Sequence, residues 1–183
     1  MVHRNKYYSL LFLYMAGFLL GIVYANFVGS KYVTTTGIFH EFFLGQYANQ
    51  QIVAEQYFIY LIKQRMLPLA LLGVAGMTRF RKIAGAVCLL WTGFAGGILA
   101  VAAVMRMGII GMLFYVAALF PQILFYGFAY AIVINYFMES ENIRWNGWKM
   151  GTVVIMMFAG IVVETYMNPP VVKWMLEIFS SIR

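Results

Sequence analysis

Few side chains could do chemistry in the most apolar parts of this sequence. Glu164, Gln122, Asn135, Thr92, Cys88 and several tyrosines are the polar or reactive groups set inside long hydrophobic runs. Acid–base or nucleophilic catalysis needs titratable groups brought together around one reacting atom. A Ser/His/Asp set is excluded, because the acidic residues are six Glu and no Asp. His3 and His40 stand far apart, and neither belongs to a ligand-spaced cluster. There is no HExxH, no phosphate-binding loop and no GxGxxG. Glu139 and Glu141 fall in a polar stretch with ordinary solvated surroundings. The sequence therefore predicts no catalysis, no metal site and no cofactor. Cys88 has no second cysteine to pair with. It reads as a small buried apolar residue.

Two of these polar groups ask for a structural account. An acid at membrane depth is a functional candidate by default. Glu164 stands four residues before Asn168, Pro169 and Pro170. Near such a stop it is expected at the membrane interface, bonded to Asn168 or to loop amides. Gln122 follows Pro121 in the run "YVAALFPQILFYGF". Proline removes one helix hydrogen bond and clashes with the carbonyl four residues back. The helix is expected to break there, with the Gln122 amide bonding a freed backbone group or a neighbouring helix. No continuous path of polar groups for a proton or ion is legible.

The elements that must position these groups follow from composition. The 183 residues are 63% hydrophobic and 10% charged, against about half and about a quarter in soluble domains. A globule of this size cannot hide so much apolar surface from water. The sequence predicts an all-α, polytopic membrane helical bundle, with about five transmembrane helices plus interfacial amphipathic helices. The net charge of +7 comes from Lys and Arg scattered between apolar runs. That pattern orients a membrane protein and does not suggest nucleic-acid binding.

The chain is read as one membrane domain, 1–183, with spans at 7–28, 58–78, 83–105, 108–138 and 150–167. The first run is taken as an uncleaved span: it is long for a signal peptide, and no small-x-small cleavage site closes it. Gly17 and Gly21 make a small-residue pair on it, and Gly93 and Gly97 a second pair on the third span. Both suit close helix packing. The 58–78 span carries Lys63 and Arg65, which must snorkel or face the protein. The fourth element is too long for one straight crossing and breaks at Pro121. "NPP" at 168–170 is expected to stop the last span. Segments 30–57 and 169–183 read as outer amphipathic helices, the first equally as a folded loop cap on the bundle; their aromatic residues, Phe39, Phe42, Phe43 and Trp174 among them, suit docking better than catalysis.

With five spans and the N-terminus inside, Arg4, Lys6, Arg79, Arg81, Lys82, Arg144 and Lys149 lie on the inner side. Lys31, Lys63, Arg65, Arg106, Lys173 and Arg183 lie on the outer side. A four-span alternative, in which 66–78 dips in and returns, puts more positive charge outside. The positive-inside rule favours five spans, with a cytoplasmic N-terminus and an external C-terminus.

The order of motifs resembles the stage II sporulation protein M family. It runs "LYMAGFLLGIVYAN", "FHEFFLGQY", "LLGVAGM", "LLWTGFAGGIL", "MGIIGMLFYVAALFPQILFYGFAY" and "ETYMNPPVV", over nearly the whole chain from about Leu11 to Val172. The sharpest pieces are "LFPQ" and "ETYMNP". The chain departs from that pattern in its short second span and in the three charges of "TRFRK". The resemblance implies a five-span bacterial inner-membrane protein without catalysis of its own. It implies a scaffold that localises cell-wall hydrolases resembling stage II sporulation proteins D and P during engulfment. Membrane lipids and a second copy of the chain are the other expected partners. A permease-like subunit working with a separate ATPase is the alternative, because broken helices are also a transporter feature.

Overall fold

The computed structural model describes residues 2–27, 53–138 and 145–182. The fold is all-α, and no strand occurs among the described residues. The helices of the described residues are α1 (Val2–Phe27), α2 (Ala54–Gly76), α3 (Arg81–Leu119), α4 (Gln122–Met138) and α5 (Gly147–Ile182). Among the described residues, four stretches are long and apolar enough to cross a membrane: Tyr8–Phe27, Ala54–Gly76, Arg81–Met105 and Gly147–Ile178. The bent pair Met107–Leu119 and Gln122–Met138 makes a fifth if it counts as one broken span. The outward surface is crowded with large apolar side chains, such as Phe12, Leu71, Ile109 and Phe158. That is the surface a lipid solvent tolerates and water does not.

Two compact units divide the chain. Among the described residues, one gathers 2–27, 86–116 and 178–182, and the other gathers 53–85, 117–138 and 145–177. In the first, α1 and the front limb of α3 run parallel and interlock through their glycines. A Cβ at Gly17 would overlap the carbonyl of Leu90, and one at Gly21 the carbonyl of Phe94. Reciprocally, Gly93 lies against the Tyr14 carbonyl and Gly97 against the Phe18 carbonyl. Backbones in lipid approach this closely only where side chains are absent.

α3 is interrupted at Gly108, whose φ of 61° and ψ of −140° are not helical. A side chain strongly disfavours that backbone conformation. The chain reverses there without a loop. Gly111 comes back against the carbonyl of Ala103, and the Tyr115 hydroxyl donates to the Gly96 carbonyl at 3.2 Å. Phe114, on the returning limb, is buried, 6% exposed.

In the second unit, α2, α4 and α5 each present one buried stripe. These include Leu61 and Leu72 on α2, Ala129, Val133 and Phe137 on α4, and Val153, Met157 and Ile161 on α5. Spacings of four residues on α4 and α5, and of eleven on α2, each return to one helical face. α4 and α5 run antiparallel: the Tyr136 and Trp145 rings meet at 4.9 Å near the connecting segment, and Tyr126 meets Gly160 and Glu164 further along.

One expectation is overturned here. The helix does not stop at Asn168, Pro169 and Pro170; α5 runs through both prolines to Ile182. Proline's fixed φ near −65° is helical, and its missing N–H is tolerated where neighbouring groups serve the freed carbonyls. Residues 169–182, expected as a separate amphipathic piece, are thus the last turns of α5, with Trp174 60% exposed on them. Of the other amphipathic segment, 30–57, the part with Phe39, Phe42 and Phe43 lies outside the described residues, while its end, from Ala54, is the first turn of α2 and not a separate piece.

Candidate functional site

The polar chemistry of the second unit converges on Glu164. The Arg65 Nε donates to Glu164 Oε2 at 3.0 Å, and its Nη2 donates to Oε1 at 2.5 Å. The pair is therefore bidentate, with two parallel bonds from a planar fork to a planar acceptor. The Tyr126 hydroxyl adds a third donor to Oε2, at 2.6 Å. The Arg65 guanidinium carbon lies 5.1 Å from the centre of the Tyr126 ring, close enough for a cation–π contact. The Glu164 side chain is 4% exposed and that of Arg65 41%. The Arg65 side chain is thus partly accessible while the carboxylate is enclosed.

Local sequence explains how the three meet. Arg65 is one turn from Leu61 on the inward stripe of α2, so it faces the protein, while Lys63 lies exposed on the other face. Glu164 falls one turn after Gly160 on the buried stripe of α5. A Cβ at Gly160 would come within 2.6 Å of the Tyr126 ring. Glycine there leaves the room the ring needs to bring its hydroxyl onto Glu164. Thr165, also buried, bonds back to the Ile161 carbonyl at 2.8 Å.

Glu164 was expected to bond Asn168 or loop amides. Its partners are instead Arg65, 99 residues away in sequence, and Tyr126, 38 residues away. Asn168 stands one turn beyond, with its Oδ1 buried and without a hydrogen-bond partner. Gln122 lies beside the break at Phe120–Pro121, a cis peptide bond. Its Nε2 donates to the Ala118 carbonyl, in the last turn before the break. Its Oε1 is buried and unpartnered. Thr92 bonds back to its own helix at the carbonyls of Cys88 and Leu89. Gly17, Gly21, Gly93 and Gly97 sit at the α1–α3 approach, Pro121 at the break, Pro169 inside α5 and Trp174 on its exposed face.

Sequence reasoning missed Arg65 and Tyr126 as site residues. A signal for Arg65 was present. A cation inside one apolar run and an acid inside another each need a partner at membrane depth, and the cheapest partner is the other. Tyr126 is one tyrosine of thirteen, and nothing in its neighbours marks it. Among the described residues, no group of three or more His, Cys, Asp or Glu could hold a metal ion.

Apolar spans, glycine-interlocked helices and a buried charge cluster define a polytopic, mostly helical, multi-pass membrane protein. Compared with known proteins, the chain matches no protein-family model, no curated protein and no solved structure.

Proposed function

We propose that this membrane protein is a non-catalytic scaffold that anchors peptidoglycan hydrolases during engulfment in endospore formation, as the resemblance to stage II sporulation protein M implies. The observation that supports it is the closure of the Glu164 cluster. Three donors from two other helices occupy its two oxygens, so this polar chemistry is spent on docking α2, α4 and α5 together. A rigid helical platform is what an anchor requires. On this reading the chain lies in the bacterial inner membrane with its N-terminus cytoplasmic. The outer segment with Phe39, Phe42 and Phe43, together with the end of α5 around Trp174, would meet the exported partners. Aromatic side chains suit such docking.

A permease-like subunit of an ABC-type transporter is the second reading. It is favoured by the helix break at Pro121 with an unpartnered amide oxygen beside it, because broken helices line transport sites. Co-purification from a detergent extract of native membranes separates the two. Recovery of exported cell-wall hydrolases supports the scaffold. Recovery of an ATPase without any hydrolase overturns it in favour of the permease.

A further inference from the structure

Beside the Glu164 cluster lie two buried side-chain oxygens without a hydrogen-bond partner. Gln122 is 3% exposed, its nitrogen donates to the Ala118 carbonyl, and its Oε1 is buried without a partner. Flipping the amide would set oxygen against oxygen, so chemistry fixes which atom is the orphan. Asn168 Oδ1 is a second buried oxygen without a partner. Gln122 is one turn before Tyr126 on α4, and Asn168 is one turn after Glu164 on α5. Because the two helices are antiparallel and Tyr126 bonds Glu164, both orphans lie at the same end of the pair, one turn past the cluster. A third acceptor belongs with them. Pro169 has no N–H, so the carbonyl of Thr165 loses its helix donor, and Thr165 is 4% exposed on the same buried stripe.

All three groups are acceptors, and all three are neutral. Burying such oxygens without a donor is costly. The carboxylate one turn away, Glu164, already has the Arg65 charge against it. Neutral amide and carbonyl oxygens at a helix break are ligands for monovalent hard cations, whereas calcium-type sites draw on several carboxylates.

We propose that Gln122 Oε1, Asn168 Oδ1 and the Thr165 carbonyl oxygen form a binding site for one alkali cation, Na⁺ or K⁺, between α4 and α5. The ion bridges the Pro121 break to α5 and couples their packing to the ionic medium. The site rests on these oxygens and is independent of the hydrolase-anchor reading.

The test uses the purified full-length chain in lipid nanodiscs. Binding of radioactive sodium or rubidium is measured together with the thermal unfolding midpoint. The salts are NaCl, KCl and N-methylglucamine chloride, at constant ionic strength. The expected result is saturable binding of Na⁺ or Rb⁺, with a higher midpoint in the matching alkali salt than in N-methylglucamine. Gln122→Met and Asn168→Ala should each weaken that binding by roughly tenfold or more, while Gly73→Ala, at an open position, leaves it unchanged. Should Gln122→Met fail to fold, Asn168→Ala carries the comparison. Equal midpoints in all three salts with no retained ion would overturn the site. So would wild-type affinity in a folded Asn168 or Gln122 variant.

Discussion

Arg65 on α2 grips Glu164 on α5 through both carboxylate oxygens, at 3.0 and 2.5 Å, while the Arg65 side chain is 41% exposed and that of Glu164 4%. The asymmetry of that pair has consequences. Arg65→Leu strands an enclosed carboxylate with Tyr126 as its remaining donor. Glu164→Leu strands a guanidinium on a partly exposed, flexible side chain, which can reorient toward a polar boundary. Removing one partner of a buried pair costs about 3–5 kcal/mol. Arg65→Leu is expected near that range, and Glu164→Leu below it because of Arg65's exposure. The Arg65→Leu/Glu164→Leu double variant should recover much of the loss. Denaturant unfolding in mixed micelles measures all three. Equal losses in the two single variants would contradict the asymmetry.

Tyr126→Phe keeps the ring and deletes the third donor to Glu164. A hydrogen bond to a charged group contributes about 1.5–3 kcal/mol, so a destabilisation of that size is expected in the same assay. In an Arg65→Leu background the loss should be larger, since Tyr126 is then the last donor. A double-mutant cycle reads the coupling.

Gly160→Ala should act on the cluster without touching a charge. The added methyl would meet the Tyr126 ring at 2.6 Å, pushing its hydroxyl off Glu164. Overpacking of this kind costs about 1–3 kcal/mol. Because the same bond is lost, Gly160→Ala and Tyr126→Phe should be less than additive. Strict additivity would mean the glycine does not position the ring.

At the α1–α3 approach, Gly17→Leu or Gly93→Leu should separate the helices. A cysteine pair placed on α1 and α3 outside the glycine contacts, in an otherwise unchanged chain, should cross-link readily, and either substitution should abolish it. Gly73→Leu, at an open position on α2, should leave cross-linking intact.

Gly108→Ala tests the loop-free reversal in α3. A non-glycine residue held in such a conformation costs about 1–3 kcal/mol. Folding stability should fall by that amount, measured by thermal unfolding in nanodiscs. An unchanged midpoint would mean that this backbone conformation is not maintained.

The sequence by itself determined the all-α membrane class. Apolar runs of membrane-crossing length, separated by scattered charges, admit no water-soluble arrangement of this size. It also marked the Pro121 break and the glycine pairs, because helix breaking and close approach are properties of single residue types and local spacing. Two things only the tertiary structure decided. One was the path of α5 through Pro169 and Pro170, since a proline ends or merely punctuates a helix according to what serves its freed carbonyls. The other was the identity of Glu164's partners. A buried carboxylate takes whichever donors the packing of helices brings to it, and here they came from α2 and α4. Sequence proximity favoured Asn168, four residues away; burial and charge favoured Arg65. A bidentate charged pair outweighs a neutral amide wherever the fold allows both.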